Sequence, residues 1–89
     1  MSKNMITRDD FKKLCIDDFL KSIQKGSEER AKKYLEEESD EVDEYVDDGF
    51  YDIQEVIEGR DSLERHGMTF VDYCKACASA VGWNMMMSC

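Results

Sequence analysis

Apolar residues recur along this chain at helical intervals. Phe11, Cys15, Ile16, Phe19, Leu20 and Ile23 share one broad face at the three- and four-residue spacings of an amphipathic helix. The segment Ile6-Thr7-Arg8-Asp9-Asp10-Phe11 reads as its start. Thr7 caps, Asp10 takes the third helical position, and Ile6 packs on Phe11 as a hydrophobic staple. Gly26 supplies the stop, so the pattern predicts a first helix over residues 8–25.

Ser27 is placed to cap a second helix, with Glu28 and Glu29 in its first turn, where the helix dipole favours negative charge. Ala31, Tyr34, Leu35, Val42, Tyr45 and Val46 form its apolar stripe, and Ile53, Val56 and Ile57 continue it in phase. One helix could run through Gly49 at a cost of about 1 kcal/mol. The turn-like run Asp47-Asp48-Gly49 instead favours a break near 48–50, followed by a helix over 51–58 and a turn around Ser62–His66 closing at Gly67.

Met68-Thr69-Phe70-Val71-Asp72-Tyr73 then repeats the first start signature, cap and third-position acid included. Phe70, Val71, Cys74, Cys77, Ala78 and Val81 make the last helix largely apolar. Ala76, Ser79 and Ala80 are small enough for a neighbouring helix to approach. It reads as the central helix of a bundle, or as a dimer interface. No stretch alternates with period two, so no sheet is expected. The fold expected is all-α, a small bundle of three to four helices in a single domain spanning 1–89. Residues 1–6 and 84–89 are candidates for fraying.

Composition sharpens this picture. The chain is 42% apolar and 37% charged, which suits a compact helical domain with a heavily solvated surface and not a disordered chain. No apolar run approaches the ~20 residues that cross a bilayer. The opening MSKNMITRDD holds no apolar core of a secretory signal. A cytoplasmic setting with reduced cysteines is therefore expected.

The net charge of −9 is segregated. Residues 1–33 carry nine Lys/Arg and six Asp/Glu, residues 34–59 carry twelve Asp/Glu and no Lys or Arg, and residues 60–89 balance. A block of this kind repels nucleic acid and anionic membrane and attracts basic protein surfaces. Glu36, Glu37, Asp40, Glu41, Asp43, Glu44, Asp47 and Asp48 occupy the arc opposite the apolar stripe, with Glu55 and Glu58 continuing it. If 34–59 were one helix, it would be about 39 Å long. Its charges would then fall every ~3.3 Å, against ~3.4 Å per phosphate along one DNA strand. Solvated helix faces usually mix signs, because like charges four apart cost stability.

Other chemistry is thinly represented. A calcium loop counted back from Gly49 would place Glu44, Val46 and Asp48 at its ligand positions, and valine cannot ligate. Cys74 and Cys77 form a CxxC, but zinc sites normally need a second pair or paired histidines. Here Cys15, Cys89 and the lone His66 are the only further sulfur or imidazole ligands. Cys74 also lies well inside its helix, not at the N-terminus where a redox thiol is activated. Scattered single glycines make no phosphate loop, and no spacing suggests a nucleophile–base triad. Neither an enzymatic activity, a cofactor nor a metal is expected. Trp83, Met85, Met86 and Met87 form an apolar tail suited to contact, either folded over the core or used in self-association as a homodimer.

In size, charge segregation and absence of catalytic residues, the chain resembles the small acidic proteins with which phages block host defence enzymes of the restriction, CRISPR or BREX type. It is also similar in length and acidity to the four-helix immunity proteins of nuclease colicins, although Phe50-Tyr51 is the nearest counterpart to their tyrosine pair. The first resemblance implies a non-catalytic inhibitor that covers a basic surface on a nucleic-acid-handling protein. The second implies an antitoxin or immunity role. A dimeric structural or adaptor protein is the third reading.

Overall fold

A computed structural model describes residues 5–88. These form α1 (Arg8–Ser22), α2 (Glu28–Glu37), α3 (Ser39–Ile57), α4 (Leu63–His66) and α5 (Phe70–Ser88). The all-α class stands. Five helices replace the expected three to four: two still cover 28–57, though divided at Glu38, and the turn at 62–66 winds into a short helix.

The helix starts follow local chemistry. Thr7 Oγ1 accepts the amide of Asp10 at 3.1 Å, and Thr69 Oγ1 accepts that of Asp72 at 3.1 Å. Ser27 stands at the start of α2 but makes no side-chain cap hydrogen bond. Glu28 instead reaches back to accept the Gly26 amide at 2.9 Å. The first helix ends at Ser22, three residues short of the expected end at 25. Ser22 Oγ donates to its own helix, at Asp18 O, at 2.8 Å, and Ile23 is extended. Such a back-bonded serine competes with the helix ladder.

The expected break at 48–50 is absent. α3 runs through Gly49, and the interruption falls at Glu38, with φ −110° and ψ 36°. The break leaves Glu36 and Glu37 at the unfavourable C-terminal end of α2, and restarting the helix offsets this by putting Asp40 and Glu41 at a favourable N-terminus. The break also loses little bonding, since Glu38 N still donates to Tyr34 O at 2.8 Å and Val42 N to Glu38 O at 3.0 Å.

Gly49 serves packing. A β-carbon there would lie 2.5 Å from Val81 Cγ2 and 3.1 Å from the Phe11 ring. The missing side chain thus lets α3 meet α5 and α1 at one point. Gly82 does the same between α5 and α1, where an added carbon would sit 3.2 Å from Phe19 N.

α5 packs against both α1 and α3, and α1 touches α3, so these three helices enclose the core while α2 and α4 close its ends. Phe11, Cys15, Phe19, Val46, Ile53 and Met85 are completely buried. Residues 84–88 of the C-terminal tail are helical, a continuation of α5. Met85 is core, and Met86 packs against it. At the other end Ile6 is half-buried against the core, and Met5 is exposed. The rest of the suspected frayed ends, residues 1–4 and Cys89, lies outside the described residues. No helix among those described is long and apolar enough to cross a membrane.

Candidate functional site

The acidic residues of α2 and α3 divide into two groups once α1 is in place. Arg8 and Lys12 come from the first turns of α1 and lie beside α3. Lys12 Nζ meets Asp43 Oδ1 at 2.7 Å, Arg8 meets the same carboxylate at 3.4 Å, and Arg8 also bonds Asp47. The Lys12 hydrogen bond, joined by Arg8, holds the Asp43 carboxyl below the usual carboxylate range. Asp43 and Asp47 therefore help clamp α1 to α3. Glu58 is taken by Arg60.

Glu36, Glu37, Glu38, Asp40, Glu41, Glu44, Asp48, Asp52 and Glu55 have no cation partner among the described residues. Glu36 and Glu37 lie on the last turn of α2. Glu41, Glu44, Asp48, Asp52 and Glu55 follow one another at intervals of three or four along the outer side of α3, so they share one face. Asp52 was not among the residues singled out from the sequence. Its position four residues after Asp48 is the signal that could have found it.

α3 is 19 residues long, about 28 Å. With Asp43 and Asp47 committed to α1, six unpartnered carboxylates remain on it, one per ~4.7 Å. That is sparser than the ~3.4 Å of a single DNA strand. The face offers negative charge without the density of a phosphate backbone.

Beside this face runs a groove between α3 and α5. Tyr45, Asp48 and Asp52 form one wall, Ala76, Ala80 and Asn84 the other, and Gly49 and Val81 lie between them. Of the small residues expected to admit a neighbouring helix, Ser79 donates to Asp18 of α1 at 3.3 Å, while Ala76 and Ala80 are exposed on the groove wall. Farther along the same outer side of α5, Trp83 is 58% exposed and Met87 70%. Of the four tail residues considered for self-association, Trp83 and Met87 are therefore on the surface, while Met85 and Met86 belong to the core.

The polar groups at the end of this groove form a cluster. Tyr45 Oη donates to Glu41 Oε1 at 3.1 Å and shares a hydrogen bond with Ser88 Oγ at 2.7 Å. Tyr34 reaches the same place from α2. Its ring packs on Phe19 with centroids 5.8 Å apart, and its buried hydroxyl finds no partner of good hydrogen-bond geometry among the described residues. Burial, with Glu41 nearby, pushes the Tyr34 phenol up to about 12.

The thiols are packing elements. Burial pushes Cys15 up to about 12 and Cys77 up to about 11, which leaves little of the reactive thiolate at neutral pH. No three His, Cys, Asp or Glu side chains gather closely enough to hold a metal among the described residues, and Cys89 lies outside them. His66 Nε2 lies 2.9 Å from Asp61 Oδ2, and its ring packs on Tyr73. This bond and the Ser62 amide keep the Asp61 carboxyl below its ordinary range.

The Asp43 clamp has a pH signature. A carboxyl depressed in the folded state stabilises the fold above its unfolded value, near 3.9, and loses that contribution as pH falls through the depressed folded value. Asp43→Asn should therefore lower the denaturation midpoint at pH 7 and narrow the gap between wild type and variant at pH 2. Urea titrations at the two pH values check this. An equal deficit at both would separate Asp43 from the clamp. The effect is small, since exposed pairs contribute ~0–1 kcal/mol.

Comparison with known proteins gives no relative: no protein-family model, no curated protein and no solved structure matches the chain.

Proposed function

We propose that this chain is a non-catalytic binding protein that uses the outer acidic face of α3, with the last turn of α2, to occupy a basic surface on a nucleic-acid-handling protein and so inhibit it. The observation that carries this reading is the row of unpartnered carboxylates. Like charges at helical spacing cost stability. The chain contains Lys and Arg in plenty, yet among the described residues places only Arg8 and Lys12 in ion pairs with α3 and leaves the outer row unpaired. A host defence enzyme is the target class suggested by the resemblance to phage anti-defence proteins. Electrostatic complementarity of this kind speeds association and rejects wrong partners more than it adds affinity.

The test is capture followed by competition. Protein retained from a host lysate by the immobilised chain at low salt is identified, purified and assayed for nucleic-acid binding. The reading expects a nucleic-acid-binding protein whose hold on DNA or RNA falls as the chain is added. A captured protein that binds nucleic acid undisturbed by excess chain contradicts it.

A second reading rests on the exposed Trp83 and Met87. Self-association through the outer side of α5 would make the chain a dimeric adaptor. Sedimentation across a hundredfold concentration range decides it, because a dimer of this kind dissociates when Trp83 is replaced by a charged residue.

A further inference from the structure

The acidic face alone does not define a docking mode, since a flat row of carboxylates binds any polycation. The α3–α5 groove and the polar cluster at its end narrow the choice. The groove has an apolar floor and small residues on its α5 wall, with Asp48 and Asp52 on the other. An apolar floor between two walls is the kind of groove that amphipathic helices enter. The wall charge requires that such a helix be flanked by Lys or Arg.

The polar cluster supplies a second, independent feature. A buried hydroxyl without a partner is destabilising, and Tyr34, only 7% exposed, carries one among the described residues. Around it stand Glu41, Tyr45 and Ser88: a carboxylate and hydroxyl oxygens, all able to accept from a cation. They lie at the C-terminal end of α5, whose last turn has no basic residue to offset its negative dipole. Ser88, which shares a hydrogen bond with Tyr45, is exposed.

We infer that the α3–α5 groove takes a basic amphipathic helix of the partner protein, and that one of its lysine or arginine head groups seats among Glu41, Tyr45 and Tyr34. The helix's apolar stripe lies on Ala76 and Ala80 and reaches Trp83, while its flanking cations meet Asp48 and Asp52. The ammonium or guanidinium donates to Glu41 and to the phenol oxygens and relieves the unpartnered hydroxyl. This inference rests on the proposed acidic-face function and specifies its partner.

The probe is a designed helical peptide of leucine and lysine, compared with poly-lysine, which has the charge but no apolar stripe. Trp83 is the only tryptophan and reports docking through its fluorescence. The peptide is expected to shift Trp83 emission to the blue and to bind at least ~10-fold more tightly than poly-lysine of equal charge. Ala80→Arg, at an exposed site that the fold tolerates, should weaken the peptide at least ~10-fold and leave poly-lysine unchanged. Tyr34→Phe removes an unpartnered hydroxyl, so it should keep or raise stability while weakening the peptide several-fold.

Equal peptide affinity in wild type and Ala80→Arg overturns the groove, and equal affinity in Tyr34→Phe overturns the cation seat. A blue shift on concentrating the chain without peptide, abolished by Ala80→Arg, would assign the groove to a second copy and so overturn the inference. Failure of the underlying function looks different: poly-lysine would then bind a charge-reversed α3 as well as it binds wild type.

Discussion

Replacing Phe11 by alanine is expected to remove about 3–5 kcal/mol of stability. Phe11 is completely buried at the point where three helices meet. Its ring stacks at a tilt on Phe50, with centroids 5.8 Å apart, and lies against Gly49, whose missing side chain leaves the space it fills. α3 has little room to move inward and close the cavity, because Val81 already packs against Gly49 beside the Phe11 ring. For a chain of 89 residues, total stabilities of roughly 4–13 kcal/mol are ordinary. The variant should thus be partly unfolded in water or have a urea midpoint lowered by half or more, as read by circular dichroism. Phe11→Leu should fall between it and wild type. A loss below about 1 kcal/mol would mean that the three-helix junction is not where the core is anchored.

The second large effect is on binding. Converting Asp40, Glu44 and Asp48 together to lysine is expected to weaken the captured partner roughly 100-fold or more. These three side chains are exposed and make no ion pair within the described chain, so each is available to a partner. Each replacement turns an attraction into a repulsion. The fold should persist: losing Asp40 from the first turn of α3 costs ~0.3–1 kcal/mol, and relief of like-charge neighbours returns ~0.2–0.5 kcal/mol per pair. Asp43→Asn is the control, because Asp43 is engaged with Lys12 and Arg8 and should scarcely change affinity.

Much of the fold was readable residue by residue because it is locally determined. Thr7 and Thr69 cap through their own next turn, and Gly67 closes α4 in the left-handed conformation, with φ 63°. What escaped the sequence depends on distant parts of the chain. Gly49 looks like a turn residue beside two aspartates until Val81 and Phe11 are brought against it, and the interruption it suggested belongs to Glu38. Met85 looked like tail and is core, since α5 continues in phase under it. The acidic block was visible as composition, yet the sorting of Asp43 and Asp47 from their neighbours required Arg8 and Lys12 to arrive from α1. Tyr34, Tyr45 and Ser88 come together only when the ends of α2, α3 and α5 meet.

The most direct measurement is capture of the partner from one lysate by wild type and by the Asp40→Lys, Glu44→Lys, Asp48→Lys variant, each washed at low and at high salt. The account predicts that wild type retains a nucleic-acid-handling protein at low salt and sheds it at high salt, while the folded variant retains none. A partner held equally by both proteins, at either salt concentration, would contradict it and leave the acidic face as a solvated surface.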